Sequence, residues 1–344
     1  MKERLKYIDI AKGILIVFVV LGHIASISKE YGGIDNNYLN HTGYLLSTFY
    51  VPFYMQAFFL ITGFTSNFDK HFTTFIYQNI KKILLPYCCF GIIYAAFNKL
   101  FFDMDFFFTT MDGKKLFFLV EYYWFLSSLF IARIIYWFFN KIPNKAIVLL
   151  ICIFSLILGA AISNYYKETL GISHWHNWFH YRNALMMIFF ISIGQQMRRF
   201  ANVTNNKIIM GGAISFPLVW LIFRIIGVEI PSIGHGTYLE FKEIPWHLLF
   251  ATTGSLLIVF ISKTFLKQGN KYIEIFGKYS LIVYAVHYLV LEIAAKCYGY
   301  FDIGTGKIVG LMSYFLIAFI TLVGCYFAII AFNRKPLKYI TGNF

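Results

Sequence analysis

The chain has 344 residues, of which 59% are hydrophobic, 21% aromatic and only 13% charged. A soluble domain carries about 25% charge, so this composition excludes a water-filled surface and points to a polytopic membrane protein. The net charge of +14 sits in short stretches between apolar segments and not in a run that tracks a phosphate backbone, which excludes nucleic acid as a partner.

A spanning helix needs about 20 mostly apolar residues. Ten segments answer to that in chain order: 8–28, 44–64, 82–102, 117–139, 146–164, 183–197, 208–227, 246–262, 279–297 and 308–332. The sixth and eighth are the shortest. With the N-terminus placed in the cytoplasm, about 19 basic residues fall on the inner side, about 9 outside and two within spans. The expectation is an all-α polytopic protein of ten transmembrane helices with both termini cytoplasmic. One membrane domain is expected over 1–344, without internal repeats or linkers.

The first segment, "YIDIAKGILIVFVVLGHI" (7–24), starts basic but is interrupted early by Asp9 and Lys12, and it reads as an uncleaved span and not a signal peptide. A charge at a helix centre costs roughly 2.5–3.5 kcal/mol in a bilayer, so such residues face protein, water or substrate. At about 100° and 1.5 Å per residue, Lys12 and His23 differ by about 20° around the axis and about 16 Å along it. Asp9 lies about 40° from His23, so all three share one stripe. Asp9 and Lys12, at i,i+3, can neutralise each other. His23 then stands alone, and a group with an unperturbed pKa near 6.5 suits proton transfer. It fits a general base for a hydroxyl nucleophile, or a proton relay in a transporter.

Four further places stand out. Glu121 and Trp124 are spaced i,i+3 at the outer end of the fourth span, where an acid beside an aromatic face suits a sugar and an interfacial anchor suits the same pattern. "HWHNWFHYRN" (174–183) alternates His174 and His176 before His180 and Arg182, with no zinc spacing. No metal site is expected there, and an aromatic acceptor groove is the preferred reading. His287 in the ninth span and Arg224 in the seventh both need partners. The five cysteines mostly fall within apolar segments and read as small apolar residues.

Several motifs then fall in order along the chain. "YIDIAKG" leading to "LGH" sets a basic residue, ten others and a histidine, Lys12 to His23. "PFYMQAFFLITGF" (52–64) is rich in aromatics and ends in Thr62, Gly63 and Phe64. "YQNIKKILLPY" (77–87), "YYWFLSSLF" (122–130), "FFISIG" (189–194) and "GKYSLIVYAVHYLVLE" (277–292) follow. Together they resemble the acyltransferase-3 family of membrane proteins, and the Trp-Phe-Leu element resembles its fucose-4-O-acetylase-like branch.

That resemblance implies transfer of an acetyl or other short acyl group from cytoplasmic acyl-CoA to a hydroxyl of a lipid-linked or exported glycan. The acyl-CoA is then a co-substrate and not a bound cofactor. The residues carried over are His23 as catalytic base with Asp9 orienting Lys12, a covalent acetyl-histidine being the competing mechanism, and Lys12, Lys81 and Lys82 toward the donor's phosphates. Glu121, Trp124, Arg182 and His287 are carried toward the acceptor. Lysine stands at these basic positions where many members use arginine, supplying charge without a bidentate fork. A bacterial inner membrane is the implied location. A glycan exporter or secondary transporter is the alternative, although no paired halves are visible. A non-catalytic partner in polysaccharide assembly needs neither the basic cradle nor the stripe.

Overall fold

The computed structural model describes residues 5–34, 36–102, 108–109, 115–116, 123–170, 180–199, 206–228, 230, 239–264, 266, 270–300 and 306–342. Thirteen helices are found among them: α1 (Lys6–Gly32), α2 (Asn37–Tyr50), α3 (Tyr54–Thr65), α4 (Phe72–Asn79), α5 (Leu85–Phe102), α6 (Trp124–Phe139), α7 (Lys145–Leu170), α8 (Tyr181–Arg199), α9 (Asn206–Ile225), α10 (Ile244–Thr264), α11 (Lys271–Lys278), α12 (Ser280–Gly299) and α13 (Lys307–Phe332). A two-residue antiparallel pair joins Phe108–Thr109 to Lys115–Leu116.

The described residues of the ten apolar segments lie mainly on helix, and the chain is an all-α polytopic membrane protein. Seven stretches among the described residues are long and apolar enough to cross a membrane: Lys6–Gly32, Asn37–Thr65, Phe72–Phe101, Lys145–Tyr166, Phe241–Thr264, Ser280–Gly299 and Lys307–Phe332. The fourth and seventh segments are shorter helices, Trp124–Phe139 and Ile209–Ile225. The sixth is α8, and it differs for a physical reason. Arg182, Asn183 and Gln195 on it are buried, and it packs against α6 and α7. Its polar groups therefore face protein, and hydropathy alone underrates it. In contrast, α13 leaves Leu311, Phe315, Phe319 and Phe327 exposed, which suits a lipid-facing helix.

The chain forms two compact units. The first comprises 1–54 and 258–341. Here α2, α11, α12 and α13 pack against α1. The left-handed cap of α1 is Gly33, at φ 62° with its N–H on the Ser28 carbonyl, a conformation that glycine adopts without strain. The side chain of Asn36 starts α2 by accepting from the N–H groups of Tyr38 and Leu39 at 2.9 and 3.2 Å. Contacts between α1 and the α11–α12 segment pair Asp9 with Gly277 and Gly32 with Gly299. Thus α12 runs beside α1 in the same direction, which brings the middle of one to the middle of the other.

The second unit comprises 55–257 and 342–344. Between α4 and α5 the helix widens into a π turn, Ile80–Leu84, where the Leu85 N–H bonds the Ile80 carbonyl. Pro86 explains the turn. Its ring lacks an N–H and crowds the carbonyl four residues back, so a looser turn lets the helix continue. Arg133 of α6 ties this region together, donating to Asn79 Oδ1 at 2.6 Å and Ser66 Oγ at 2.7 Å. Arg198 donates to the Ser66 carbonyl.

Candidate active site

The stripe on α1 is real in space because α1 is unbroken from Lys6 to Gly32. Asp9 is 4% exposed and sits under α11, while Lys12 is half-buried. His23 is half-buried in the middle of the first unit. The hydroxyl of Tyr288 on α12 lies 3.0 Å from its Nδ1 and 3.3 Å from its Nε2. The hydroxyl can donate to the unprotonated imidazole nitrogen or accept from the protonated one, and either way it holds that edge of the ring.

His287 completes the group. Its ring centroid is 5.5 Å from that of His23, and the Tyr288 ring stands 4.6 Å from each imidazole. His287 is fully buried, with Nδ1 2.7 Å from the Tyr284 carbonyl. Glu292 follows Tyr288 by one helical turn and is also fully buried. Around His23 the helix is steadied from two sides. The Tyr314 hydroxyl donates to the Leu21 carbonyl at 2.9 Å, and Tyr50 stacks on Phe18 at 4.8 Å.

In the second unit, Trp124 opens α6 and Arg182 lies in the first turn of α8. Both are buried, and the Arg182 guanidinium lies 5.3 Å from the centre of the Tyr166 ring. A bond absent from the sequence reading joins their neighbourhoods. Ser127 Oγ and His180 Nδ1 are 2.8 Å apart, with both residues buried. His180 adopts φ 55°, a left-handed turn that leads directly into α8. Lys81 and Lys82 stand on the π turn. Lys81 is half-buried with Nζ 6.0 Å from the Tyr77 ring centre, and Lys82 is exposed.

A search against family models then matched residues 5–330 to the family described as an acyltransferase domain, Acyl_transf_3. The chain belongs to the acyltransferase-3 family. It is a membrane acyltransferase. No curated protein and no solved structure gave a significant match.

Two of the expected site residues, His23 and His287, meet in this acyltransferase although they are 264 positions apart. Trp124 and Arg182 share the other unit with Lys81 and Lys82. Glu121, His174 and His176 lie outside the described residues. Arg224 is corrected: it is exposed in the last turn of α9 and so needs no buried partner. Among the described residues, no three His, Cys, Asp or Glu side chains gather as metal ligands.

Tyr288 and Ser127 are the residues that sequence reading passed over. Tyr288 stands next to His287 inside a quoted motif, and that adjacency was its only signal. Ser127 sits one turn after Trp124, where a serine in an apolar helix normally satisfies itself on the preceding turn, as its 3.0 Å bond to the Trp124 carbonyl does.

Proposed function

We propose that the protein transfers an acetyl or other short acyl group from acyl-CoA to a hydroxyl of a cell-envelope or exported glycan. The observation that carries this reading is the joining of His23, Tyr288 and His287 within a chain of the acyltransferase-3 family. His23 is the base. It takes the proton of the acceptor hydroxyl as that oxygen attacks the thioester carbonyl carbon. The C–S bond breaks, and the leaving thiolate recovers the proton. General base catalysis of this kind contributes typically 10²–10⁴-fold.

The donor reaches His23 from the end of α1 that carries Asp9 and Lys12. Lys12, Lys81 and Lys82 provide positive charge for its phosphates, and Asp9 orients Lys12. On the acceptor side the glycan is held by Glu121, Trp124, Arg182 and His287, as a sugar suits aromatic faces beside hydrogen-bonding groups. The placement that follows is a bacterial inner membrane, with donor and acceptor approaching from opposite faces.

The test is transfer from radiolabelled acetyl-CoA to envelope glycans, with the intact protein and His23→Ala at equal expression. Label that depends on the intact protein and disappears with His23→Ala is the expected result. Near-normal transfer by folded His23→Ala protein overturns the assignment of the base.

A further inference from the structure

A nitrogen at this site has no hydrogen-bond partner among the described residues. His287 is fully buried, and its Nδ1 faces the Tyr284 carbonyl. A carbonyl oxygen only accepts, so Nδ1 carries the hydrogen and Nε2 of the neutral ring is an acceptor. That Nε2 has no hydrogen-bond partner among the described residues. Buried polar atoms are nearly always satisfied, so this one calls for a donor, from water or from a bound substrate.

The missing group must bring an N–H or O–H. A metal ion is disfavoured, because no third His, Cys, Asp or Glu side chain among the described residues joins the two imidazoles. The acyl thioester has no donor hydrogen at its reacting end. The amide N–H groups of its arm, the nearest only two carbons from the sulfur, lie on the side that leads back to Lys12. The hydroxyl under attack gives its single hydrogen to His23. On the acceptor side the group that fits is a second hydroxyl, next to the first, which would take the place of a water.

We propose that His287 accepts a hydrogen bond through Nε2 from a hydroxyl adjacent to the one acylated, making it the residue that selects a vicinal diol and sets which oxygen receives the acyl group. This rests on the reading of His23 as base toward a glycan hydroxyl. The ring centroids of His23 and His287 are 5.5 Å apart, so the two imidazoles stand close enough to address neighbouring oxygens of one sugar. His287 neither gains nor loses a proton. Its role is to refuse acceptors that leave Nε2 bare, the sense in which a buried hydrogen-bonding site discriminates most strongly.

The experiment maps the acylated oxygen. Envelope glycans are labelled from acetyl-CoA by the wild-type protein, by His287→Phe and by His287→Gln, and the labelled sugars are isolated and assigned by NMR. The wild-type product is expected to carry its acyl group beside a free hydroxyl. His287→Phe keeps an aromatic ring and removes both the Nε2 lone pair and the Nδ1–H bond to the Tyr284 carbonyl, which retains its helical N–H. It is expected to melt near the wild-type temperature and keep its KM for acetyl-CoA within about twofold. Its transfer at limiting acceptor should fall at least about tenfold, or spread over both oxygens. His287→Gln, whose carbonyl restores an acceptor, should recover part of the rate. An acylated oxygen with no free neighbour in the wild-type product overturns the proposal, whether or not the variants fold. So does a loss that appears only in KM for acetyl-CoA, which would place Nε2 against the donor's amides. Glycans left unlabelled by the wild-type protein overturn the proposed function itself, and this inference with it.

Discussion

Tyr288 holds its hydroxyl 3.0 Å from Nδ1 of His23, across 265 positions of sequence. A base works best when a third group fixes its ring, because the proton it takes must lie along one direction. The tyrosine ring also lies tilted against both imidazoles at 4.6 Å, so removing the hydroxyl alone leaves the packing intact.

Tyr288→Phe is therefore expected to lower kcat by about tenfold, the equivalent of one hydrogen bond of about 1–1.5 kcal/mol. KM for acyl-CoA and the melting temperature should stay near wild type. Steady-state transfer and thermal unfolding in detergent check this. A change in melting temperature with kcat preserved would make Tyr288 a packing residue only.

Lys81 and Lys82 test the donor side. Lys82 is exposed on the π turn, so Lys82→Ala should leave stability within about 0.5 kcal/mol. KM for acyl-CoA should rise for Lys82→Ala and further for the double alanine variant, and the difference from wild type should shrink as salt is raised. Lys81→Arg and Lys82→Arg should hold or lower KM, since a guanidinium can grip a phosphate bidentately. Equal KM values at low salt for wild type and the double variant would move the phosphate contacts elsewhere.

These residues differ in how far the sequence discloses them. The ten apolar segments and the stripe on α1 are legible because a bilayer enforces both length and the cost of charge. His287 is legible as a polar group that needs a reason. Its meeting with His23 is not, because that depends on α12 running beside α1 in the same direction, a long-range fact with no local signature. Tyr288 hides among 25 tyrosines. Pro86 announces a disturbance, yet only the structure shows that the helix widens and carries Lys81 and Lys82 on the widened turn. The helix α8 is obscured for the opposite reason: its polar residues are buried in protein, so a lipid-based hydropathy rule undervalues it.

Arg133 offers a stability test separate from catalysis. Its guanidinium bonds Asn79 and Ser66 at 2.6 and 2.7 Å and lies 5.8 and 5.6 Å from the ring centres of Phe68 and Phe75. Arg133→Met removes the donors and leaves two acceptors behind, a loss of about 1–3 kcal/mol. Thermal unfolding in detergent should show a clear drop in midpoint. Arg133→Lys should recover only part of it, since one ammonium cannot reproduce the planar fork.

Gly63 and Gly194 make a second stability test, a steric one, and both lie in motifs read from the sequence. A Cβ at Gly63 would collide with the Ile191 carbonyl, and one at Gly194 with the Leu60 carbonyl. The two glycines thus let α3 and α8 approach backbone to backbone, as small residues do at close helix contacts in membranes. The colliding atoms belong to main chain and not to flexible side chains, so neither clash is relieved by a rotamer change. Gly63→Ala and Gly194→Ala should each cost about 1–3 kcal/mol, the range for overpacked cores. Because the two sites press on the same helix pair, the double variant should depart from the sum of the singles. If both alanine variants unfold at the wild-type temperature, the close approach of α3 and α8 is wrong.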